Sequence, residues 1–166
     1  GANKVWAARH YNCYKPNTCI ISNGFATMGL AVPGAIAANL VHPDRKVLAI
    51  TGDAGFMMNC QEFETAHRLG SRFVTLIFND RSYGLIKWKQ EMHYGHPCYV
   101  DFTNPDFVKL AESMGAVGYR ITKAEDLLPT LKKALTLDKP VIIDCPVDYG
   151  ENMKLTAHLE ELEETL

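Results

Sequence analysis

Apolar residues fall along the chain in short unbroken runs, separated by stretches in which they recur at helical spacing. Lys46-Val47-Leu48-Ala49-Ile50-Thr51 and Phe73-Val74-Thr75-Leu76-Ile77-Phe78 are two such runs, and each stops on a turn carrying an acid, Asp53 and Asp80. Between them a helix-like stretch runs from about Cys60 to Leu69, with Gly70 placed to end it. Asp80 follows Asp53 by 27 positions. Strand, helix, strand over that distance predicts a βαβ unit with parallel, neighbouring strands. Both acids then lie at the same carboxyl edge of a sheet, where open α/β folds bind ligands.

The same alternation continues in both directions. Upstream, Thr18-Cys19-Ile20-Ile21 reads as a short strand, and Gly29 to Leu40 as a small-residue helix with Pro33 in its first turn. Downstream, helices are expected from Gly84 to Met92 and from Pro105 to Met114, the latter ended by Gly115. Val117 to Ile121 reads as a strand, and Thr122-Lys123-Ala124-Glu125 as a capping box opening a helix to about Leu135 that Pro129 kinks or delays. Pro140 to Asp144 is a last buried strand. The expected architecture is α/β, a three-layer sandwich with a mostly parallel sheet, in one domain spanning 1–166. Trp6, Tyr11 and Tyr14 are costly apolar groups for a fraying end, so the first segment reads as packed on the domain or on something outside it. The chain is expected to be a piece of a longer one.

Composition narrows the chemistry without choosing it. The 166 residues are 47% hydrophobic and 22% charged, with a net charge of −2. That gives no electrostatic case for nucleic acid or an anionic membrane, and the 19 acids cluster only at Glu160-Glu161-Leu162-Glu163-Glu164. Five cysteines without a CxxC pair imply reduced thiols and a cytoplasmic setting. No apolar run reaches the roughly 18 residues of a membrane span. Gly24-Phe25-Ala26-Thr27-Met28-Gly29 is not a GxGxxG, and there is no Walker A, GxSxG or HExxH. His93 and His96 lack a third ligand at an obvious spacing.

What remains is the acid pair. Taken singly, Asp53 and Asp80 read as ordinary turn acids. With Gly52, Gly55, Gly84 and Ser82 in register, they read together as oxygen ligands for Mg²⁺ carrying a phosphorylated cofactor. A receiver-like Mg²⁺-binding regulatory module also gathers acids at parallel strand ends, but would want an early acidic pair and a late Lys. Here the early run ends on Ser22-Asn23 and the late one on Asp144.

Ser22-Asn23-Gly24-Phe25-Ala26-Thr27-Met28-Gly29, Gly52-Asp53-Ala54-Gly55-Phe56-Met57-Met58-Asn59-Cys60-Gln61-Glu62 and Asn79-Asp80-Arg81-Ser82-Tyr83-Gly84 together resemble the carboxyl-terminal, diphosphate-binding domain of thiamine-diphosphate enzymes. Within that superfamily the chain is most similar to acetolactate synthases, at Val100-Asp101-Phe102, Ala111 to Ala116 and Cys145 to Tyr149. The resemblance implies that Asp53 and the side chain of Asp80 bind Mg²⁺, joined by the main-chain carbonyl of Ser82. It implies cofactor contacts from Ala26, Met28, Gly52, Asp53, Ala54, Gly55, Met58, Asp80, Ser82, Tyr83, Gly84, Leu85 and Ile86. Met28 would offer its backbone to the aminopyrimidine, Met58 would prop the bent cofactor, and helix N-termini after Asp53 and Gly84 would face the phosphates.

By the same resemblance, pyruvate is decarboxylated and joined to a second 2-oxo acid, in a homodimer or homotetramer. The activating glutamate comes from the pyrimidine-binding domain of a second subunit, so this chain alone is expected to be inactive. FAD is possible in a full-length enzyme but not on this domain, and another 2-oxo acid decarboxylase or oxidase is the alternative.

Two positions depart from the family pattern. Ala54 replaces a glycine, which is affordable only at negative φ, and Asp80 replaces an asparagine, which adds a charge near the diphosphate. Met28, Met57 and Met58 read equally as core filler, and Tyr83 and Trp88 as core or pocket wall. Glu62, Glu64 and His67 read as surface or interface groups.

Overall fold

The computed structural model describes residues 1–155, so the acidic run at 160–164 lies outside the described residues. An opening helix, α1 (Ala2–His10), leads through an irregular segment to α2 (Ala31–Val41). Strand β1 (Leu48–Gly52) runs directly into a five-residue helix, α3 (Asp53–Met57), followed by α4 (Glu62–Arg68) and β2 (Val74–Asn79). Then come α5 (Gly84–Tyr94), α6 (Phe107–Ser113) and β3 (Val117–Arg120). A 3₁₀ turn (Ala124–Asp126), α7 (Leu127–Ala134) and β4 (Val141–Pro146) follow, and residues 152–155 are helical.

The four strands form one sheet in the order β1-β2-β4-β3, every pair parallel. The expected α/β sandwich is therefore present, with a sheet parallel throughout its described strands. β2 and β4 are buried on both faces, as their near-continuous apolar sequences require. One face packs against α2, α4 and α6 through Val32, Ile36, Phe63, Ala66, Phe107 and Ala111. Its centre is aromatic: Phe56 meets Phe107 edge-on at 5.4 Å and Phe63 at 5.8 Å. The other face packs Val74, Leu76, Val141 and Ile143 against Leu127, Leu131 and Ala134 of α7. Helices on both faces of the central sheet make the three layers.

Local signals set the helix ends. Gly70 and Gly115 both take left-handed backbone (φ 63° and 74°). At each, the glycine's own N–H and the next one bond back in the paired pattern of a Schellman motif, Gly70 N to His67 O with Ser71 N to Ala66 O, and Gly115 N to Glu112 O with Ala116 N to Ala111 O. Asp106 caps α6, its carboxylate accepting from Val108 and Lys109.

Two expectations are corrected. Thr18 to Ile21 is not a strand, since Ile20 is largely exposed and no strand of the described sheet pairs with it. The capping box at Thr122 does not form: Lys123 precedes the 3₁₀ turn, with no side-chain cap bond, and α7 starts only at Leu127. This places Pro129 in the first turn of α7, where its missing N–H costs nothing, so it delays the helix and does not kink it. The helix expected after Asp53 is present as α3, but it is only five residues long. The amino-terminal segment does pack on the domain: Trp6 Nε1 donates to Asn152 Oδ1 at 2.7 Å, and Asn3 lies beside Gly52 at the end of β1. Tyr11 and Tyr14 stay exposed.

Candidate functional site

The register of the first two strands builds the site. Gly52 pairs with Phe78 at the carboxyl end of the ladder, so Asp53 and Asn79-Asp80 leave the sheet side by side. Asp53 is almost completely buried, and three donors hold its carboxylate. Oδ1 accepts from Ala54 N at 2.8 Å, while Oδ2 accepts from Arg81 N at 2.8 Å and from Asn104 Nδ2 at 2.6 Å. Arg81 takes left-handed backbone (φ 55°), the conformation in which its N–H is brought to Asp53. Ala54 is not among the residues with positive φ, so its methyl is accommodated without backbone strain.

Asp80 has a different environment. It is half-buried, and burial first, then the charge of Asp53, push its carboxyl up to about 6, against the Ser82 N–H and Lys87, which favour the ionised form. Gly84 crowds it: a side-chain carbon at Gly84 would stand 2.5 Å from Asp80 Oδ2 and 3.5 Å from the ring of Tyr149. Burial, followed by the charges of Asp80 and Asp53, raises the Tyr149 phenol, and its hydroxyl is buried without a hydrogen-bond partner.

The turn after Asp80 is pinned from outside. Ser82 forms an isolated antiparallel bridge with Asp101; its hydroxyl donates to Val100 O at 3.2 Å, Tyr83 N donates to the same oxygen at 2.9 Å, and Phe102 N donates to Arg81 O at 3.0 Å. The carbonyl of Ser82 itself accepts no backbone donor among the described residues. Tyr83 packs at a tilt against Phe102, ring centroids 5.0 Å apart, leaving it a partly exposed wall, whereas Trp88 is buried in the core.

Other residues singled out in the sequence gather around this edge. Asn59 Nδ2 donates to Gly29 O at 3.0 Å, and a side chain at Gly29 (φ 89°) would meet Met58 Cβ at 3.1 Å. The Met28 loop is thereby held against the Met58 turn. Met28, Met57 and Met58 are each about two-fifths to half exposed, which is not the burial of core filler. Leu85 is half-buried and Ile86 exposed on the first turn of α5, and Ala26 is exposed with left-handed backbone (φ 49°). Glu64 pairs with Arg68 on the surface, away from these groups.

Sequence reading missed the residues behind Asp53. Asn104 Nδ2 also donates to Asn79 Oδ1 at 3.0 Å, Asn79 Nδ2 donates to Asp144 Oδ1 at 2.8 Å, and Arg120 bridges Asp144 and Asp106, each at 3.0 Å. This relay ties the ends of β1, β2, β4 and β3 together beside a hollow of about 280 Å³. Nothing in the Asn-Pro-Asp turn at 104–106 foretells it, because the partners come from distant strand ends. A larger hollow of about 430 Å³ opens at the opposite, amino edge of the sheet, between Pro43–Val47 and Thr136–Asp138. Size favours that one, but chemistry favours the carboxyl edge, where the buried carboxylates converge.

The donor set suits a small hard cation that brings its own oxygens. No group of three or more His, Cys, Asp or Glu side chains converges among the described residues. Two carboxylates and a free main-chain carbonyl leave a Mg²⁺ octahedron to be completed by waters and phosphate oxygens, as Mg²⁺ prefers. The close approach of Gly84 to Asp80 and the buried, unpartnered Tyr149 hydroxyl mark a polar cradle of the same kind.

Residues 1–145 match the family described as thiamine pyrophosphate enzyme, C-terminal TPP binding domain. The chain is 41% identical to "Acetolactate synthase" of Bacillus subtilis (strain 168), over 95% of this chain and 28% of that protein. It is 38% identical to "Acetolactate synthase, catabolic" of Raoultella terrigena, over 96% of this chain and 28% of that one. With "Probable acetolactate synthase large subunit" of Methanococcus aeolicus it shares 40% identity, over 93% and 26%. The chain thus spans about a quarter of the length of these relatives.

Proposed function

The chain belongs to the thiamine pyrophosphate enzymes, as their C-terminal cofactor-binding domain, and from that membership we propose that it clamps Mg²⁺ and the diphosphate of the cofactor for an acetolactate synthase-like reaction on pyruvate. The observation that carries this reading is the buried Asp53 and half-buried Asp80 on adjacent parallel strand ends, with the Ser82 carbonyl two residues on accepting no backbone donor among the described residues. When bound, thiamine diphosphate supplies the electron sink for cleaving and remaking the bond next to a 2-oxo acid's carbonyl.

The chain's own residues bind and orient. Asp53, Asp80 and the Ser82 carbonyl hold the metal, and Gly52, Ala54, Gly55 and Gly84 keep backbone close to the diphosphate. Of the two helices that start here, α3 is only five residues long, whereas the eleven-residue α5 offers the free amides of a full first turn near Gly84. Met28, Met58, Tyr83, Leu85 and Ile86 line the apolar side, with Ala26 in the approaching loop. With the cofactor bound, these side chains would shield its reacting end from water and support its shape.

Family membership sets aside the receiver-like reading. Pyruvate as donor, carboligation to a second 2-oxo acid in branched-chain amino acid biosynthesis or its catabolic counterpart, and a homodimeric or homotetrameric assembly in the cytoplasm all belong to this proposal. So does the activating glutamate, contributed by a pyrimidine-binding domain of a second subunit. FAD, where a full-length enzyme holds it, is placed by this proposal outside this domain. No helix among the described residues is long and apolar enough to cross a membrane.

Isothermal titration with thiamine diphosphate and Mg²⁺ tests the clamp. Asp53→Ala is expected to abolish binding, while Glu64→Ala, on the solvent side of α4, binds like the parent. Equal behaviour of the two variants refutes the site. The chain by itself is expected to form no acetolactate from pyruvate, and robust turnover would overturn that.

A further inference from the structure

The hydrogen bonds on Asp53 limit how it can meet a cation. An ionised carboxylate has about four acceptor positions, two on each oxygen. On Oδ2 both are taken, by Arg81 N and Asn104 Nδ2, while Oδ1 gives one to Ala54 N and keeps one. Asp53 therefore has a single free position and can hold a metal only through Oδ1, never with both oxygens. Of the donors on Oδ2, Asn104 makes the shorter bond, and it is braced from behind by its second contact, to Asn79.

From this we infer that Asn104 is a selectivity-determining residue for the metal: by occupying Asp53 Oδ2 it forces one-oxygen coordination, which suits a small octahedral cation such as Mg²⁺ and disfavours a larger one such as Ca²⁺. Ca²⁺ takes six to eight oxygens and gains from two-oxygen carboxylates, whereas Mg²⁺ demands six at short, fixed distances. Removing the Asn104 amide leaves Oδ2 with only the Arg81 N–H, so each oxygen of Asp53 then has one free position. The larger ion gains a ligand and the smaller one does not. This inference rests on the Mg²⁺–diphosphate clamp proposed above.

The test is calorimetric titration of the protein with Mg²⁺ and, separately, with Ca²⁺, each at saturating thiamine diphosphate, with thermal melting to confirm that every variant folds. The parent is expected to bind Mg²⁺ more tightly than Ca²⁺. In Asn104→Ala the ratio of the two dissociation constants should shift toward Ca²⁺ by about tenfold, the usual scale for a group that orients a metal ligand. Asp144→Asn disturbs the same relay but leaves the Asn104–Asp53 bond in place, so it should keep the parent's ratio. A uniform loss for both ions in Asn104→Ala, or the same ratio change in Asp144→Asn, overturns the inference and leaves the clamp standing. If the parent binds neither ion, the clamp falls and the inference with it.

Discussion

Gly84 and Asp80 are in direct steric register: the position a side-chain carbon would take at Gly84 lies 2.5 Å from Asp80 Oδ2. The requirement for glycine is one of space, because Gly84 is not among the residues with positive φ. Gly84→Ala must therefore displace the Asp80 carboxylate or lift the start of α5. The expected result is a loss of Mg²⁺–thiamine diphosphate affinity of at least about tenfold, as for other groups that orient a metal ligand, with a smaller change in melting temperature. Calorimetry and a thermal melt on the same samples separate the two.

Acidity should act through Asp80. Its carboxyl is raised to about 6 in the folded chain, first by burial and then by the charge of Asp53. The folded state thus holds a proton that the unfolded state, with a carboxyl near 4, releases earlier. The stability contributed is fully present below about pH 4 and is lost as pH rises through about 6. Without metal, the contribution of this group favours a higher melting temperature at pH 5 than at pH 7.5, and Asp80→Asn should flatten that part of the profile. Mg²⁺ competes with the same proton, so its affinity should fall as pH drops below about 6.

The aromatic centre under the site carries much of the stability. Phe63 is fully buried and touches both Phe56 and Phe73. Phe63→Ala should cost about 4 kcal/mol in urea unfolding, the range for deleting a buried aromatic side chain.

The relay behind Asp53 makes Arg120 a stability residue with a defined partner. Asp144 is buried, and its only cationic partner among the described side chains is Arg120, at 3.0 Å. Arg120→Leu strands that carboxylate. Because Arg120 is 44% exposed, the loss should sit below the usual range for breaking a buried pair, at about 2 kcal/mol. A double change with Asp144→Asn should recover part of it.

The fold was legible wherever a run of apolar residues met a strong terminator. The runs before Asp53 and Asp80 and the glycines at 70 and 115 each lie within a residue or two of where the sequence puts them. Legibility failed where a single local cue competed with context. Thr18 to Ile21 has β-type composition but no strand to pair with, and the Thr122 box lies upstream of a proline that sets the helix start. The Asp53/Asp80 pair was readable because one βαβ unit carries both. Asp144 and Arg120 were not, because only the sheet order β1-β2-β4-β3 brings them to that edge, and Asn104 reaches it from an irregular segment with no pattern of its own.

The left-handed Arg81 also fixes the length of the turn it sits in. Its N–H must reach Asp53 from the residue immediately after Asp80, while its carbonyl must meet Phe102 from the other side. Between Asn79 and Ser82 the chain therefore has no slack. One residue added or removed there would uncouple two strand ends at once, whereas the same change in the exposed stretch around Gly95 would be absorbed. A change of length is therefore expected to be tolerated at one loop of the domain and to break the other.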